Sequence, residues 1–166
     1  MMSDRQEQAS RTLVWAAFAA GTVHAAFSTY WALGGQWLLD TVGRWAVARA
    51  AGDPAAARLA LLIVAGAKLL AAAVPVVVIY GRLPRPRAWR TLCWIGGIGL
   101  VLYGGLNILV SNAVLAGIIR PASGYDKAAM VGHAWLWDPL FFIWGAALCL
   151  ALLLSHPTGR SSAPRR

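Results

Sequence analysis

Ionisable side chains lie inside apolar stretches that carry no other charge, and they are the residues of this sequence best suited to chemistry. Asp138 and His133 lie in the run MVGHAWLWDPLFFIWGAALCLALLL, His24 in the first apolar run and Lys68 in the middle of the second. An ionisable group is costly in hydrocarbon and usually faces a bundle interior or a watery cavity, where it has a role. We therefore predict that these four residues are catalytic, with Asp138 as the first candidate.

Lys68 and Asp138 have opposite charges and are predicted to pair. Lys68 falls near the middle of its apolar run, too far from either end for its stem to bring the amine easily to water. Asp138 is the only carboxylate in any of the other apolar runs. Because a buried charge needs a partner, the sequence predicts a Lys68–Asp138 ion pair that links two helices.

A second interpretation of Asp138 stays open, in which it caps a helix. The pair Asp138-Pro139 repeats Asp53-Pro54, and aspartate followed by proline is typical of an N-cap and a first helical turn. A helix that starts at Pro139 would have about 16 residues, which is short for a membrane crossing of about 20. We favour a helix that begins near Val131 and is kinked at Pro139, so that Asp138 faces the other helices.

Aromatic and amide side chains in the outer half of the apolar runs are candidates to line a cavity beside these groups. The predicted substrate-binding residues are Trp31, Tyr103, Asn107, Asn112 and Trp137. For tryptophan near the end of a run, the aromatic belt at the membrane surface is the competing explanation. For the asparagines, the competing explanation is hydrogen bonding between helices.

Four apolar runs predict an all-α polytopic membrane protein, built as a four-transmembrane-helix bundle. Each run is long enough for a crossing of about 20 residues; together they form a membrane domain at residues 12–155, with runs at 12–34, 59–80, 91–119 and 131–154. Residues 1–11 form a polar N-terminal tail and residues 156–166 a basic C-terminal tail. Between the first two runs, the spacing of Trp37, Val42 and Trp45 predicts a short interfacial helix.

The composition excludes an ordinary soluble domain, since 59% of the 166 residues are hydrophobic and only 13% are charged. A net charge of +9 would favour nucleic acid as the partner of a soluble protein, but here the basic residues flank the apolar runs. Nine lie in the two tails and the second connection, against five in the other connections. The positive-inside rule therefore predicts a multi-pass protein of the cell membrane with both termini cytoplasmic. We expect the bilayer and a hydrophobic small molecule as partners and no nucleic acid, and the sequence leaves oligomerisation open.

The sequence gives no sign of a metal or a cofactor. No His-Glu-x-x-His or similar spacing occurs, so we predict neither. Cys93 and Cys149 form no Cys-x-x-Cys motif, which disfavours quinone or vitamin K epoxide reduction, a chemistry that needs a dithiol.

Two segments resemble known membrane proteins. HAAFSTYWALGG at residues 24–35 and HAWLWDPLFFIWG at residues 133–145 resemble the first and last helices of a family of small four-helix bacterial (actinobacterial) membrane proteins of unknown function. This resemblance implies a four-helix membrane fold with a Trp-Asp-Pro motif and no established activity. In size, helix count and intramembrane acids, the chain is also similar to the small integral-membrane terpene cyclases of indole-terpenoid pathways, although no diagnostic motif matches.

Two functions from different classes follow. An acid among aromatic rings can protonate an alkene or epoxide, and tryptophan faces stabilise the resulting carbocation. In this hypothesis of a terpene cyclase acting on an isoprenoid, Asp138 donates the proton, His24 or His133 orients or reprotonates it, and the aromatic residues line the path of the cation. The alternative is a non-enzymatic bundle that binds a lipid, a quinone or a membrane-protein partner, in which Lys68 and Asp138 fix the helix register.

Overall fold

A computed structural model of the chain describes residues 4–155, and in this part it contains five helices and no strand. The helices are α1 Asp4–Ala32, α2 Arg44–Gly52, α3 Pro54–Ile79, α4 Pro86–Leu115 and α5 Lys127–Leu154. The all-α class predicted from the sequence is confirmed. The predicted basic tail at residues 156–166 lies outside the described residues.

Three helices of the described chain, α3, α4 and α5, are long and apolar enough to cross a membrane. The predicted first span, residues 12–34, lies largely within α1, which is 29 residues long but does not belong to that group. Thr22, His24 and Ser28 make α1 more polar than the other long helices. The structure therefore establishes three candidate spans and not the predicted four.

The predicted polar N-terminal tail is helical from Asp4 onward and continues directly into α1. Arg11 and Glu7 are four residues apart on this first part of α1, and their side chains form an ion pair of 2.5 Å. After α1, the connection contains a 3₁₀ turn at Asp40–Val42 and then α2. A short helix, α2, is thus present between the first two runs, but of Trp37, Val42 and Trp45, which predicted it, only Trp45 lies in α2.

The long helices run antiparallel to their neighbours along the chain, and α1 and α5 form the central pair. α3 packs along α1, and α4 packs along α5. α3 and α4 touch each other far less than each touches the central pair. The bundle therefore has a more open side between α3 and α4.

Small residues allow the helix backbones to approach closely at two interfaces. A Cβ placed on Gly21 of α1 would lie 2.7 Å from the Cβ of Ala72 in α3 and 2.8 Å from the indole of Trp144 in α5. A Cβ on Gly145 would lie 2.6 Å from the carbonyl oxygen of Gly97 in α4. In a membrane, where apolar burial gives little drive for helix association, such close packing is a main source of stability.

Aspartates cap the starts of α3 and α5. Asp53 accepts a hydrogen bond of 3.0 Å from the Ala56 amide, in the manner that the Asp-Pro pair predicts. Asp126 accepts from the Ala129 amide at 3.3 Å and also from the Arg44 amide at 3.0 Å. The bond from Ala129 is the main reason that the pKa of Asp126 lies below its ordinary value.

Arg90 closes the opposite end of the hairpin formed by α4 and α5. Its guanidinium donates to the Leu152 carbonyl at 2.8 Å, to the Ser155 carbonyl at 2.9 Å and to the Ser155 hydroxyl at 2.8 Å. The last carbonyls of a helix have no partners within it, so Arg90 satisfies the end of α5 from the first turns of α4.

Candidate intramembrane site

The winding of α5 changes at His133–Trp137, where one turn is a π-helix. In an α-helix, residues five apart point about 140° away from each other, whereas a turn with i→i+5 bonding brings them onto one side. His133 Nδ1 consequently lies 2.8 Å from a carboxylate oxygen of Asp138. Pro139 follows and offers no N–H to the preceding turn, which fits the wider winding at this point.

Asp138 is completely buried, with 0% of its surface exposed. Its second carboxylate oxygen lies 3.5 Å from the amide nitrogen of Asn107 in α4, which is a weak hydrogen bond. Its backbone is helical, with φ −77° and ψ −32°, and it lies inside a helix that Asp126 caps. Asp138 therefore faces α4 from within α5 and does not act as the cap of a separate helix.

Lys68 forms a second polar cluster, which joins α3 to α1. Its Nζ lies 3.0 Å from Nδ1 of His24 and donates to the Ser28 hydroxyl at 3.0 Å. The Ser28 hydroxyl in turn donates to the His24 carbonyl at 3.3 Å. The His24 ring is buried, and its Nε2 has no hydrogen-bond partner within the described residues.

The predicted Lys68–Asp138 ion pair is wrong. Within residues 4–155, Lys68 is bonded to α1 and Asp138 to α4 and to its own helix, and the two charges form no salt bridge. The physical reason is the rotation of each helix about its axis. Lys68 turns towards the central helix α1, whereas the π turn aligns Asp138 with His133.

Phe141, three residues after Asp138 in α5, packs against the Lys68 cluster. Its ring centroid lies 3.9 Å from that of His24, and Lys68 Nζ is 5.7 Å from its centre. From the other side, Tyr103 of α4 packs edge-on against Phe141 at 5.6 Å between centroids, with 54% of Tyr103 exposed. We call the space between α3 and α4 the α3–α4 groove, with Phe141 at its floor, Lys68 on one wall and Tyr103 and Asn107 on the other.

Trp31 and Trp137 pack against each other at the end of the bundle where α1 ends. Their rings meet edge-on with centroids 5.1 Å apart, and Phe27 packs against both. Each indole N–H is satisfied: Trp31 donates to the Trp37 carbonyl at 3.0 Å, and Trp137 donates to the Thr41 hydroxyl at 3.0 Å. These predicted binding residues are thus buried in an aromatic cluster next to His24, whose ring centroid is 5.7 Å from that of Trp137.

The predicted site residues therefore fall into several places. Asp138, His133 and Asn107 meet in one cluster, and Lys68 and His24 meet in another. Asn112 donates to the Ile108 carbonyl of its own helix at 2.8 Å and, within residues 4–155, shares no hydrogen bond with either cluster. Sequence reasoning missed Ser28 and Phe141, although each lies four residues after a chosen residue, His24 and Trp137, and so on the same helix face.

The cysteines and possible metal ligands stay apart. Cys93 and Cys149 are free thiols. Within residues 4–155, no three side chains of histidine, cysteine, aspartate or glutamate are placed to hold a metal ion together.

The fold and the site define a helical protein, with three helices that could cross a membrane, that contains a buried carboxylate–imidazole pair and a separate amine–imidazole pair. A sequence model of the family described as "Protein of unknown function (DUF3995)" matches residues 21–148, and the chain belongs to this family. The matched range contains both pairs. No curated protein and no solved structure matches the chain. Membership of a family of unknown function is thereby confirmed, while the expected similarity to terpene cyclases has no support from these comparisons.

Proposed function

We propose that this protein takes a hydrophobic lipid or isoprenoid molecule from the bilayer into the α3–α4 groove and acts on it by acid–base chemistry. One observation carries the proposal: Asp138 is fully buried and bonded at 2.8 Å to His133, whose side chain remains 27% exposed. A buried acid linked to the protein exterior by an imidazole has a route by which its proton is replaced. An aspartate that only fixed helix packing would need no such route.

The openness of the bundle between α3 and α4 supports entry of the molecule from the lipid phase. Lys68 and Phe141 are half-buried there, and Tyr103 is exposed. Asn107 lies one turn after Tyr103 on the same face of α4 and contacts Asp138. A molecule in the groove therefore lies beside Asn107, which contacts Asp138.

The reaction class proposed is protonation-initiated cyclisation, as in an isomerase. Asp138 gives its proton to an alkene, whose π bond is replaced by a new C–H bond, or to an epoxide, in which an O–H bond forms and a C–O bond breaks. The carbocation left on the neighbouring carbon then reacts with a second double bond. The faces of Phe141 and Tyr103, which line the groove, stabilise the cation. The cation then loses a proton to the Asp138–His133 pair, which restores the acid, so the reaction consumes no second substrate.

A non-enzymatic bundle is the second candidate, and one observation favours it. Both carboxylate oxygens of Asp138 already have protein partners, and the Asp138 backbone packs directly against Gly104. Such an arrangement fixes the register of α4 against α5 without any reaction. In this case the protein binds a lipid, a quinone or a membrane partner and leaves it unchanged.

Lipid extracts separate the two candidates. Membranes of cells that produce the wild type, Asp138→Asn or no protein are extracted and compared by mass spectrometry, with Asp126→Asn as the matched control outside the site. We expect an isomeric isoprenoid or lipid product with the wild type and with Asp126→Asn, and its loss with Asp138→Asn. A product that persists in full with Asp138→Asn would rule out Asp138 as the acid. Identical extracts with and without the protein would favour the non-enzymatic bundle.

We further propose that α1 is a fourth span and that both termini are cytoplasmic in the cell membrane. Two contacts support this proposal: Ser10 near the start of α1 donates to the Ala151 carbonyl near the end of α5, and His24 bonds to Lys68 midway along α3. α1 thus runs along two helices that are apolar enough to cross a membrane. In a Cys93→Ala, Cys149→Ala background, an impermeant maleimide added to whole cells should label Ser123→Cys and not Arg87→Cys; the reverse pattern would invert the topology.

A further inference from the structure

Lys68 is a cation in the middle of a membrane helix, and none of its partners is an acid. As an ammonium it has three N–H donors. Two of them are used by His24 Nδ1 and the Ser28 hydroxyl, both at 3.0 Å. The remaining partner is the ring face of Phe141, 5.7 Å from Nζ. The amine therefore retains a donor and a charge that no described side chain neutralises.

The histidine beside it holds the amine of Lys68 in place. Because Lys68 donates to Nδ1, the proton of a neutral His24 ring lies on Nε2. His24 is held between α1, α3 and the ring of Phe141, so Lys68 has a fixed position and not that of a long, mobile side chain. Lys68 is only half-buried, so the residue keeps exposed surface on the wall of the α3–α4 groove.

The helices that border the groove offer apolar surface to a hydrocarbon chain. Leu102 and Leu106 are exposed on α4, and Leu69 and Leu70 are exposed on α3. An amphiphile with a single anionic head and an apolar tail matches this combination of one unneutralised cation and exposed leucines. Its head would form a charge-assisted hydrogen bond, which is stronger in a low dielectric than in water.

We infer that the α3–α4 groove binds an anionic amphiphile, such as a long-chain carboxylate or phosphate monoester, with the anionic head on Lys68 Nζ. The inference rests on the proposed function, since it names the class of molecule that enters the groove. It assigns Lys68 to ligand binding and not to proton transfer.

The test uses the full-length protein in nanodiscs of a zwitterionic lipid. Binding of oleate, oleyl phosphate and oleyl alcohol is measured by displacement of a fluorescent fatty acid. We expect both anions to bind at least about tenfold more tightly than the alcohol, since one charge-assisted hydrogen bond separates them. The tighter of the two anions assigns the head as carboxylate or phosphate.

Substitutions locate the site. The chain has only two lysines, so Lys127→Met is the matched control for Lys68→Met. Lys68→Met should abolish the preference for anions and leave binding of the alcohol unchanged, whereas Lys127→Met should change neither. Lys68→Arg should keep part of the preference and serves as the test if Lys68→Met does not fold.

Each outcome decides the inference. Equal affinity of the wild type for oleate and oleyl alcohol would overturn it and leave the proposed function standing, because a hydrophobic molecule would still bind. The same anion preference in the wild type and in Lys68→Met would also overturn it. Absence of binding by all three probes would contradict both the inference and the proposed function.

Discussion

Gly104 of α4 lies against the backbone of Asp138 so closely that a Cβ on Gly104 would be 2.6 Å from the Asp138 carbonyl oxygen and 2.8 Å from the Phe142 amide nitrogen. No real Cβ tolerates such distances to backbone atoms, so α4 and α5 would have to move apart. The contact between these two residues therefore sets the spacing at which Asn107 reaches the carboxylate.

Gly104→Ala tests this spacing. We expect the substitution to lower the free energy of unfolding in detergent by about 1–3 kcal/mol, the usual cost of overpacking. Gly99→Ala is the control, because a Cβ there meets nothing within 4 Å and alanine favours the helix by up to about 1 kcal/mol. Equal effects of the two substitutions would contradict the close approach.

The His133–Asp138 bond should appear as an energetic coupling. A double-mutant cycle with His133→Ala and Asp138→Asn, followed by chemical unfolding in micelles, should give a coupling of about 0.5–3 kcal/mol. Lys68→Met combined with Asp138→Asn should give less than about 0.5 kcal/mol, because these side chains share no contact. If the Lys68 cycle gave the larger coupling, the two polar clusters would not be separate.

Arg90 should stabilise the end of the α4–α5 hairpin. Arg90→Met removes the three hydrogen bonds to Leu152 and Ser155, and one bond to a charged group contributes about 1.5–3 kcal/mol. We expect a loss of at least that size in thermal or chemical unfolding. The control is Arg87→Met, since Arg87 is exposed and lies one turn earlier. This substitution should change the free energy of unfolding by less than about 0.5 kcal/mol. A loss as large as that of Arg90→Met would show that the positive charge, and not the hydrogen bonds, stabilises this end.

The folded protein should become less stable at acidic pH, because the carboxylate of Asp126 becomes protonated. Its folded-state pKa is depressed, chiefly by the hydrogen bond from the Ala129 amide, so its contribution is complete above the unfolded value of about 4. That contribution is lost as the pH falls through the lower folded pKa. The melting temperature of the wild type should therefore drop below about pH 4, and Asp126→Asn should flatten the drop. Asp40→Asn removes a carboxylate from the 3₁₀ turn and leaves the bonds of Asp126 in place, so the drop should persist in this variant.

Much of the fold can be predicted from apolar runs and capping residues, because length and hydropathy act locally. The Asp53 cap and the positions of α3 and α4 follow directly from such signals. The Lys68–Asp138 pair could not be judged in this way, because pairing depends on how far each helix is rotated about its axis. That rotation is set by contacts such as Gly21 with Trp144, which join residues distant in the chain.

The π turn could not be predicted from periodicity either, since it changes the periodicity itself. Counting at about 3.6 residues per turn places His133 and Asp138 on different faces. The presence of Pro139 signals a disturbance of the helix, but proline alone does not distinguish a kink from wider winding.

The wider turn at His133–Trp137 holds one residue more than an α-helical turn would. Deleting a single residue such as the exposed Trp135 would let ordinary winding resume while both halves of α5 kept their present neighbours. The imidazole and the carboxylate would then be four residues apart, a spacing that keeps them on one face of an ordinary α-helix. Family members shorter by one position in this segment would accordingly keep both the architecture and the imidazole–carboxylate pair, with no need of the wider turn.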